Sequence, residues 1–452
     1  MSGRAPISAS SPVNVSQFID EMPLNGFHVR LVLLTFLVLL VDGFDGAIAP
    51  YVSPQLALAW HVTNRAAFGP VFSAIFIGTL VGAPLFGYLG DRYGRKWALI
   101  VGAVSYALLT IATTQVHSLQ AFFWLRMLSG LCFGGVWPNA IALNMEFAPK
   151  RMRATFVVLI FFGTTFGAAL PGPFAAWLVP QYGWQVLFYL GGIVSLVVGL
   201  ALIFALPESL RFLVLQEKFD RALRVANAFA GRVRFEAATL FVVDAGEGRE
   251  KHALAELFRG KLALITPLLW LLFCINLMTL YFLNQWFPLV FSDAGLPPRA
   301  VALAITYFQV GGTIGGVFVM RPLDRFGFAP VVLLFIVASP IIAAIGYLTW
   351  SEAALMTAVF FSGFCLLANQ SSINALAGIV YPTGVRSFGV GWALGVGRIG
   401  SIAGPIVGGV LVAQHLPVVR LYQIGALPVL LGAVTAFALA RIHSAQARQQ
   451  SV

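Results

Sequence analysis

Twelve apolar stretches of about 20 residues follow one another along this chain, and no other feature restricts its fold so strongly. They fall at approximately 29–52, 66–90, 97–115, 119–146, 152–178, 185–206, 262–291, 299–320, 328–349, 353–379, 387–413 and 418–441. A helix of that length crosses a hydrocarbon layer ~30 Å thick and satisfies its own backbone groups, as lipid demands. With 59% hydrophobic and only 10% charged residues, the chain cannot cover a soluble surface. The expected fold is an all-α membrane protein of twelve transmembrane helices.

The spans decide what the charge means. A formal net charge of +11 would suit a nucleic-acid binder. Yet Arg92, Arg95, Lys96, Lys150, Arg151, Arg153, Arg321, Arg325 and Arg386 lie in or beside even-numbered loops, and ten Lys and Arg crowd between 207 and 262. The odd-numbered loops hold little beyond Arg65, Arg299 and Arg420. By the positive-inside rule the even loops and both termini are expected in the cytoplasm, in a multi-pass protein of the inner (plasma) membrane with no nucleic-acid partner. The polar stretch up to Gly26 lacks a short apolar segment followed by a cleavage site, so no secretory signal is read there.

The two halves echo each other. Asp91-Arg92-Tyr93-Gly94 recurs as Asp324-Arg325-Phe326-Gly327, 233 residues on. Pro149 and Arg153 recur as Pro382 and Arg386, Cys132 as Cys365, and Pro171 meets Pro405 one residue out of step. Two six-span halves in parallel repeat form a secondary-transporter arrangement. The expected division is a cytoplasmic N-terminal segment 1–28, a bundle 29–206, a cytoplasmic linker 207–261, a bundle 262–441 and a cytoplasmic tail 442–452. Within the linker a helical piece near 210–230 mixes Phe212, Leu215, Phe219 and Leu223 with Arg211, Lys218, Arg221 and Arg224. It lies at the membrane surface, against loop helices, or free in solvent.

Polar chemistry inside the spans is sparse and therefore informative. Asp42 and Asp45 stand three residues apart in the first span, on one helical face. An ionised Asp at lipid depth costs kilocalories and marks an ion pathway. The pair is read as a proton-coupling site, against a packing motif around Gly43 with one acid paired to a basic side chain. Asp45 lies about 15 residues into its span, roughly 22 Å from the cytoplasmic face, and Arg126 about 7 residues into an opposite-running span, roughly 10 Å from the outer face. Their depths match, so either they pair or each finds its own backbone or water partners. Cys132, Cys274 and Cys365 sit in apolar runs and the six histidines lie in loops or near span ends. No metal cluster, catalytic constellation or cofactor is read, and no enzyme is expected.

Between spans 2 and 3, Gly87-Tyr88-Leu89-Gly90-Asp91-Arg92-Tyr93-Gly94-Arg95-Lys96 resembles the G-x-L-x-D-R-x-G-R-K signature of the major facilitator superfamily. Its glycines permit a tight turn, and the acid can cap a helix N-terminus. The second copy lacks the Arg-Lys pair after Gly327. The resemblance implies a cytoplasmic gate built from Asp91, Arg92, Arg95, Glu146, Arg153, Asp324, Arg325 and Arg386. Pro207-Glu208-Ser209-Leu210-Arg211 looks like an element of sugar porters and organic-ion relatives. An antiporter-like glycine pattern falls in span 11, at Gly400, Gly404-Pro405 and Gly408-Gly409, rather than in span 5. Together with Asp42-Gly43-Phe44-Asp45, three further runs resemble the aromatic acid:proton symporter family. They are Arg126 to Arg151 through Pro138-Asn139, Tyr281 to Pro288, and Tyr381 to Gly400. Trp137 departs from the small residue expected before Pro138.

That family implies a central cavity lined by spans 1, 4, 7 and 10. Arg398, near the midplane of span 11, suits a carboxylate through its planar fork, or pairs with backbone carbonyls. Phe44, Tyr281 and Trp286 offer rings for stacking, and Asn284, Asn369, Gln370 and Asn374 offer amides for ring hydroxyls. The expected function is proton-coupled import of a benzoate- or hydroxybenzoate-type carboxylate by alternating access, with a monomer as the working unit. A transporter of another organic anion or of a sugar, and a substrate sensor without flux, remain as alternatives.

Overall fold

The computed structural model describes residues 13–230, 235, 241–243, 254–260, 262–382 and 385–450. Long apolar runs fold as helices, three of them opened by the polar caps Asn25, Ser118 and Ser351. A two-residue strand β1 (Val13–Asn14) and a short helix α1 (Val15–Glu21) lead in. The first half follows as α2 (Gly26–Ala59), α3 (Phe68–Tyr93), α4 (Arg95–Ala112), α5 (Leu119–Phe147), α6 (Arg153–Ala169), α7 (Pro171–Tyr182) and α8 (Gln185–Ala205). The connection carries α9 (Leu210–Leu215), α10 (Phe219–Ala230) and a strand β2 (Phe241–Val242). The second half comprises α11 (Leu262–Asp293), α12 (Pro298–Phe326), α13 (Ala329–Ile345), α14 (Glu352–Val380), α15 (Arg386–Ala413) and α16 (Val418–Gln450). Eleven segments are long and apolar enough to cross a membrane, α6 and α7 counting as one. The twelfth is α13, whose 17 residues extend about 26 Å.

The repeat written in the sequence recurs in the packing. In the first half α3 packs on α5, α4 on α8 and α2 on α6; in the second, α12 packs on α14, α13 on α16 and α11 on α15. Ser118 caps α5 by accepting from the Ala121 amide, and Ser351 caps α14 by accepting from Ala354. Arg153 Nε donates to the Ala148 carbonyl at 3.4 Å, and Arg386 Nε to the Tyr381 carbonyl at 3.3 Å. Each of these pairs is offset by the same 233 residues. Gly94 and Gly327 both close their helices at positive φ, 110° and 57°, which is why glycine stands at each turn.

Two sequence expectations change in the structure. The fifth span is two helices, broken at Leu170-Pro171. Pro171 and Pro173 have no N–H for the carbonyls of Gly167 and Ala169. Leu170 N takes the first at 3.1 Å, and Thr306 Oγ1, from α12, donates to the second at 2.9 Å. The linker helix is also two pieces, with Glu217 at φ 56° between them. Its buried face is Leu213, Val214, Ala222, Ala226 and Phe229, while Leu215 and Phe219 stay exposed. Phe229 meets Phe18 and Phe27 edge-on, so α10 lies on the N-terminal segment, and β1 pairs in parallel with β2. The last apolar span ends at Ile442, as expected, and α16 continues as helix to Gln450. Arg232, Arg234, Arg249, Lys251 and Lys261 of the linker, and Thr383-Gly384 of the last motif, lie outside the described residues.

The start of α2, Gly94, Lys150 and Gly327 share one end of the bundle, which we term the basic face. Contacts joining the halves cluster towards the other end, the far face. Arg65 and Asp293 pair at 3.2 Å. Ser73 Oγ donates to the Ile402 carbonyl at 2.7 Å, and a Cβ on Gly69 would lie 3.0 Å from the Pro405 oxygen. Phe72 meets Trp286 edge-on at 5.5 Å.

Candidate functional site

The azimuth of α2 follows from a single glycine. Gly43 lies against the backbone of Thr164 in α6, in space that any Cβ would overlap. With Gly43 turned to α6, helical phase carries Asp42 and Asp45 round towards α4, α5 and α8. Both acids are buried. Asp45 Oδ2 accepts from Ser195 Oγ of α8 at 2.7 Å, and Asp42 Oδ2 accepts from the indole N–H of Trp137 in α5 at 2.9 Å. The second oxygen of each carboxylate has no protein hydrogen-bond partner. Trp137, the residue that departs from its family pattern, thus becomes a neutral ligand of the pair, braced edge-on by Phe161 at 4.7 Å.

Arg126 reaches the same place by a different route from a direct ion pair. Its Nη2 donates to the backbone carbonyls of Asp45 and Gly46, at 3.3 and 3.5 Å. Pro50 stands four residues after Gly46 and has no N–H to bond that carbonyl, so the guanidinium caps a gap in the helix ladder. The same logic puts Ser53 Oγ on the Pro50 carbonyl, freed by Pro54, at 2.8 Å. Arg126 sits 6.0 Å from the Phe188 ring centre, within electrostatic reach of the Asp45 carboxylate and the Tyr106 hydroxyl.

In the second half, Arg398 of α15 and Tyr281 of α11 lie within electrostatic reach of each other. Among the described residues Arg398 forms no ion pair. Tyr281 packs on Phe76 of α3 with ring centres 4.2 Å apart, so aromatic surface from both halves meets beside the cation. Asn276 donates to Gln370 Oε1 at 2.9 Å, and Gln370 donates to Asn374 Oδ1 at 3.2 Å. Asn369, fully buried on α14, has no hydrogen-bond partner on either amide atom. Measured along their helices, Arg398, Asn369 and Asn276 lie roughly 17–21 Å from the basic face, a common mid-depth layer.

Other expected site residues are placed differently. The Trp286 indole is enclosed, donates to the Pro405 carbonyl at 3.0 Å and covers Gly408, so it serves the contact between halves instead of offering a face to a ligand. Phe44 is buried against Phe174 of α7. Asn284 is also buried, on the stretch of α11 nearer the far face.

At the basic face Arg95 bonds Asp91 and lies 3.7 Å from Glu146. Glu208 caps the start of α4: its Oε1 accepts from the amides of Lys96 and Ser209, at 3.1 and 3.0 Å. Burial pushes the Glu208 carboxyl above its usual range, against the pull of those two amides. Arg92 bonds Tyr88, while Asp324 and Arg325 are exposed at the end of α12. Sequence reasoning missed Ser195, Tyr106 and Phe76. Ser195 and Tyr106 gave a signal, as hydroxyls inside apolar spans, and Phe76 gave none.

The chain was compared with known proteins. A family profile described as Major Facilitator Superfamily matches residues 32–405 and 269–451. A gallate transporter of Pseudomonas putida is 33% identical over 436 residues, covering 96% of both chains. A 4-hydroxybenzoate transporter, PcaK, of Pseudomonas aeruginosa is 34% identical over 407 residues, 90% of this chain and 91% of that one. Among solved structures, the xylose transporter XylE of Escherichia coli, in a partially occluded inward-open conformation, aligns with a TM-score of 0.70. It covers 92% of this chain and 98% of that one at 15% identity, which bears on the fold alone.

Proposed function

Because the chain belongs to the major facilitator superfamily, among its aromatic acid transporters, we propose that it imports a benzoate- or hydroxybenzoate-type carboxylate together with a proton. The observation that carries the coupling is Asp45: wholly buried, bonded by a neutral hydroxyl and free of any direct ion pair among the described residues. A carboxylate so placed can take or release a proton without breaking a salt bridge. Arg398 supplies the complementary charge in the other half, replacing the hydration that a carboxylate loses on entering the protein. Tyr281 and Phe76 offer aromatic faces beside it, and Asn369 offers an amide to ring hydroxyls.

In the direction of transport we assign the basic face to the cytoplasm of the cell and the chain to its inner membrane, on the positive-inside rule. The halves touching towards the far face then form an arrangement open inward. The Asp91, Arg95 and Glu146 cluster would belong to the gate that closes the other side, with a single chain as the transport unit. In intact cells, an impermeant thiol reagent should label Ala294→Cys, exposed at the far face. It should leave Arg221→Cys, exposed on α10, unlabelled until the membrane is permeabilised. Labelling in the reverse order would invert the orientation and turn import into export.

The reading itself is tested by purified protein in vesicles. Labelled 4-hydroxybenzoate should enter when the outside is made acidic, and unlabelled hydroxybenzoates should compete where xylose and aliphatic dicarboxylates do not. Uptake indifferent to the pH gradient, or displaced equally by a sugar, would refute it.

A further inference from the structure

Beside the aspartates, α2, α4, α5 and α8 of the first half line a small pocket of about 10 Å³, bordered in part by Asp42, Ala103, Tyr106 and Ser195. That is room for one water molecule. Two of its lining side chains present polar atoms that the protein leaves unbonded. Asp42 Oδ1 and the Tyr106 hydroxyl are both buried, and neither has a hydrogen-bond partner. Arg126 approaches that hydroxyl, and its Nη1 is likewise buried and unbonded, but no pair between the two side chains meets hydrogen-bond geometry. Ser195 Oγ gives its hydrogen to Asp45 Oδ2 and keeps its lone pairs. Buried polar atoms are seldom left unbonded, and a water with two to four partners is the usual remedy.

We propose that this cavity binds one ordered water that bridges Asp42 Oδ1 and the Tyr106 hydroxyl, with Ser195 Oγ as its third partner. The inference rests on the coupling role proposed for the two aspartates and gives it a path. A proton leaving Asp42 passes to the water. The water passes one of its own to Ser195 Oγ, and Ser195 passes its hydroxyl hydrogen to Asp45 Oδ2. Asp42 ends ionised and Asp45 neutral, while water and serine are unchanged. Tyr106 is a positioning residue in this chain, holding the water in place. The charged and titratable groups that act on Asp42 are Asp45 on its own helix and Tyr106 on α4, while Arg126 on α5 acts on Asp45 and Tyr106. At that depth α6 and α8 bring none: Arg153 is the first residue of α6, and Tyr189 of α8 bonds Gln115.

Two variants of the full chain test the proposal in proteoliposomes. Tyr106→Phe deletes the hydroxyl, and Ala103→Val fills the cavity while leaving every polar group in place. Infrared difference spectra between low and high pH should show an internal-water band that shifts in water labelled with oxygen-18, and both variants should lose it. Both should also displace the pH of half-maximal uptake in the same direction, by about half a unit or more. Substrate exchange at fixed pH should stay within about twofold of the unaltered chain, since exchange needs no net proton movement. A labelled-water band that survives Ala103→Val, a pH profile unmoved in both variants, or a shift in Tyr106→Phe alone would each overturn the water bridge. If Asp45→Asn still concentrates substrate, the coupling role fails instead, and the infrared band still reports on the water.

Discussion

In vesicles supplied with a pH gradient and nothing else, Asp45→Asn is expected to equalise substrate across the membrane where the unaltered chain concentrates it. One pH unit is worth about 1.4 kcal/mol per proton, so coupling to one proton sustains about a tenfold accumulation ratio. In the variant that ratio should fall to about one. The amide keeps the size of the side chain, and its oxygen can still accept from Ser195, but it cannot carry a proton. Exchange of internal for external substrate should therefore persist. The structure also weakens the usual objection to such a test, that a lost carboxylate strands a buried cation. Arg126 is held by the carbonyls of Asp45 and Gly46, not by the carboxylate, so Asp45→Asn should insert and fold normally. Asp42→Asn keeps an oxygen for the Trp137 indole and should lower accumulation less. A well-inserted Asp45→Asn that still concentrates substrate about tenfold would remove Asp45 from the coupling step.

What the sequence made legible was whatever depends on one-dimensional pattern. Hydropathy marked the spans, since a lone segment in lipid must satisfy its own backbone groups as a helix. The 233-residue echo marked the two halves because equivalent turns need equivalent residues, as Gly94 and Gly327 show. Depth along a helix was also accessible, and it correctly brought Arg126 level with Asp45. Azimuth was not. Which side of α2 the acids occupy depends on Gly43 meeting Thr164, a contact 121 positions apart that leaves no local trace. Trp286 illustrates the same blindness: beside Asn284 and Gln285 it reads as a cavity residue, but its phase turns it onto Gly408 and Pro405. For Arg126 the signal was present and unread, because Pro50 four residues beyond Gly46 announces a carbonyl in need of a donor. The linker misled for another reason. Its large side chains suggested a face, whereas α10 packs through Ala222 and Ala226, which approach more closely.

Arg398→Lys is expected to raise the KM for a hydroxybenzoate about 10- to 100-fold although the positive charge is kept. An arginine fork can give a carboxylate two parallel hydrogen bonds, and a lysine gives one from a shorter, mobile head group. The loss of one charge-assisted bond, about 1.5–3 kcal/mol, is the source of that range. The surroundings of Arg398 argue that the fork is aimed rather than incidental. Gly397 and Gly400 bring α15 onto Phe273 and Cys274 of α11 with no room for larger side chains. That close seam holds the base of Arg398 within electrostatic reach of Tyr281, whose ring meets Phe76 of the other half. Because Phe76 and Tyr281 belong to different halves, a ring bound there would feel the two bundles separate during reorientation, and the carboxylate anchored on Arg398 would move with the second. The control is a neutral ligand. Benzamide, which has no carboxylate to present, should compete equally poorly with uptake in the unaltered chain and in Arg398→Lys. Equal KM values for hydroxybenzoate in the two proteins would show that the carboxylate is held elsewhere, and would leave Arg398 as a packing cation of the α15–α11 seam.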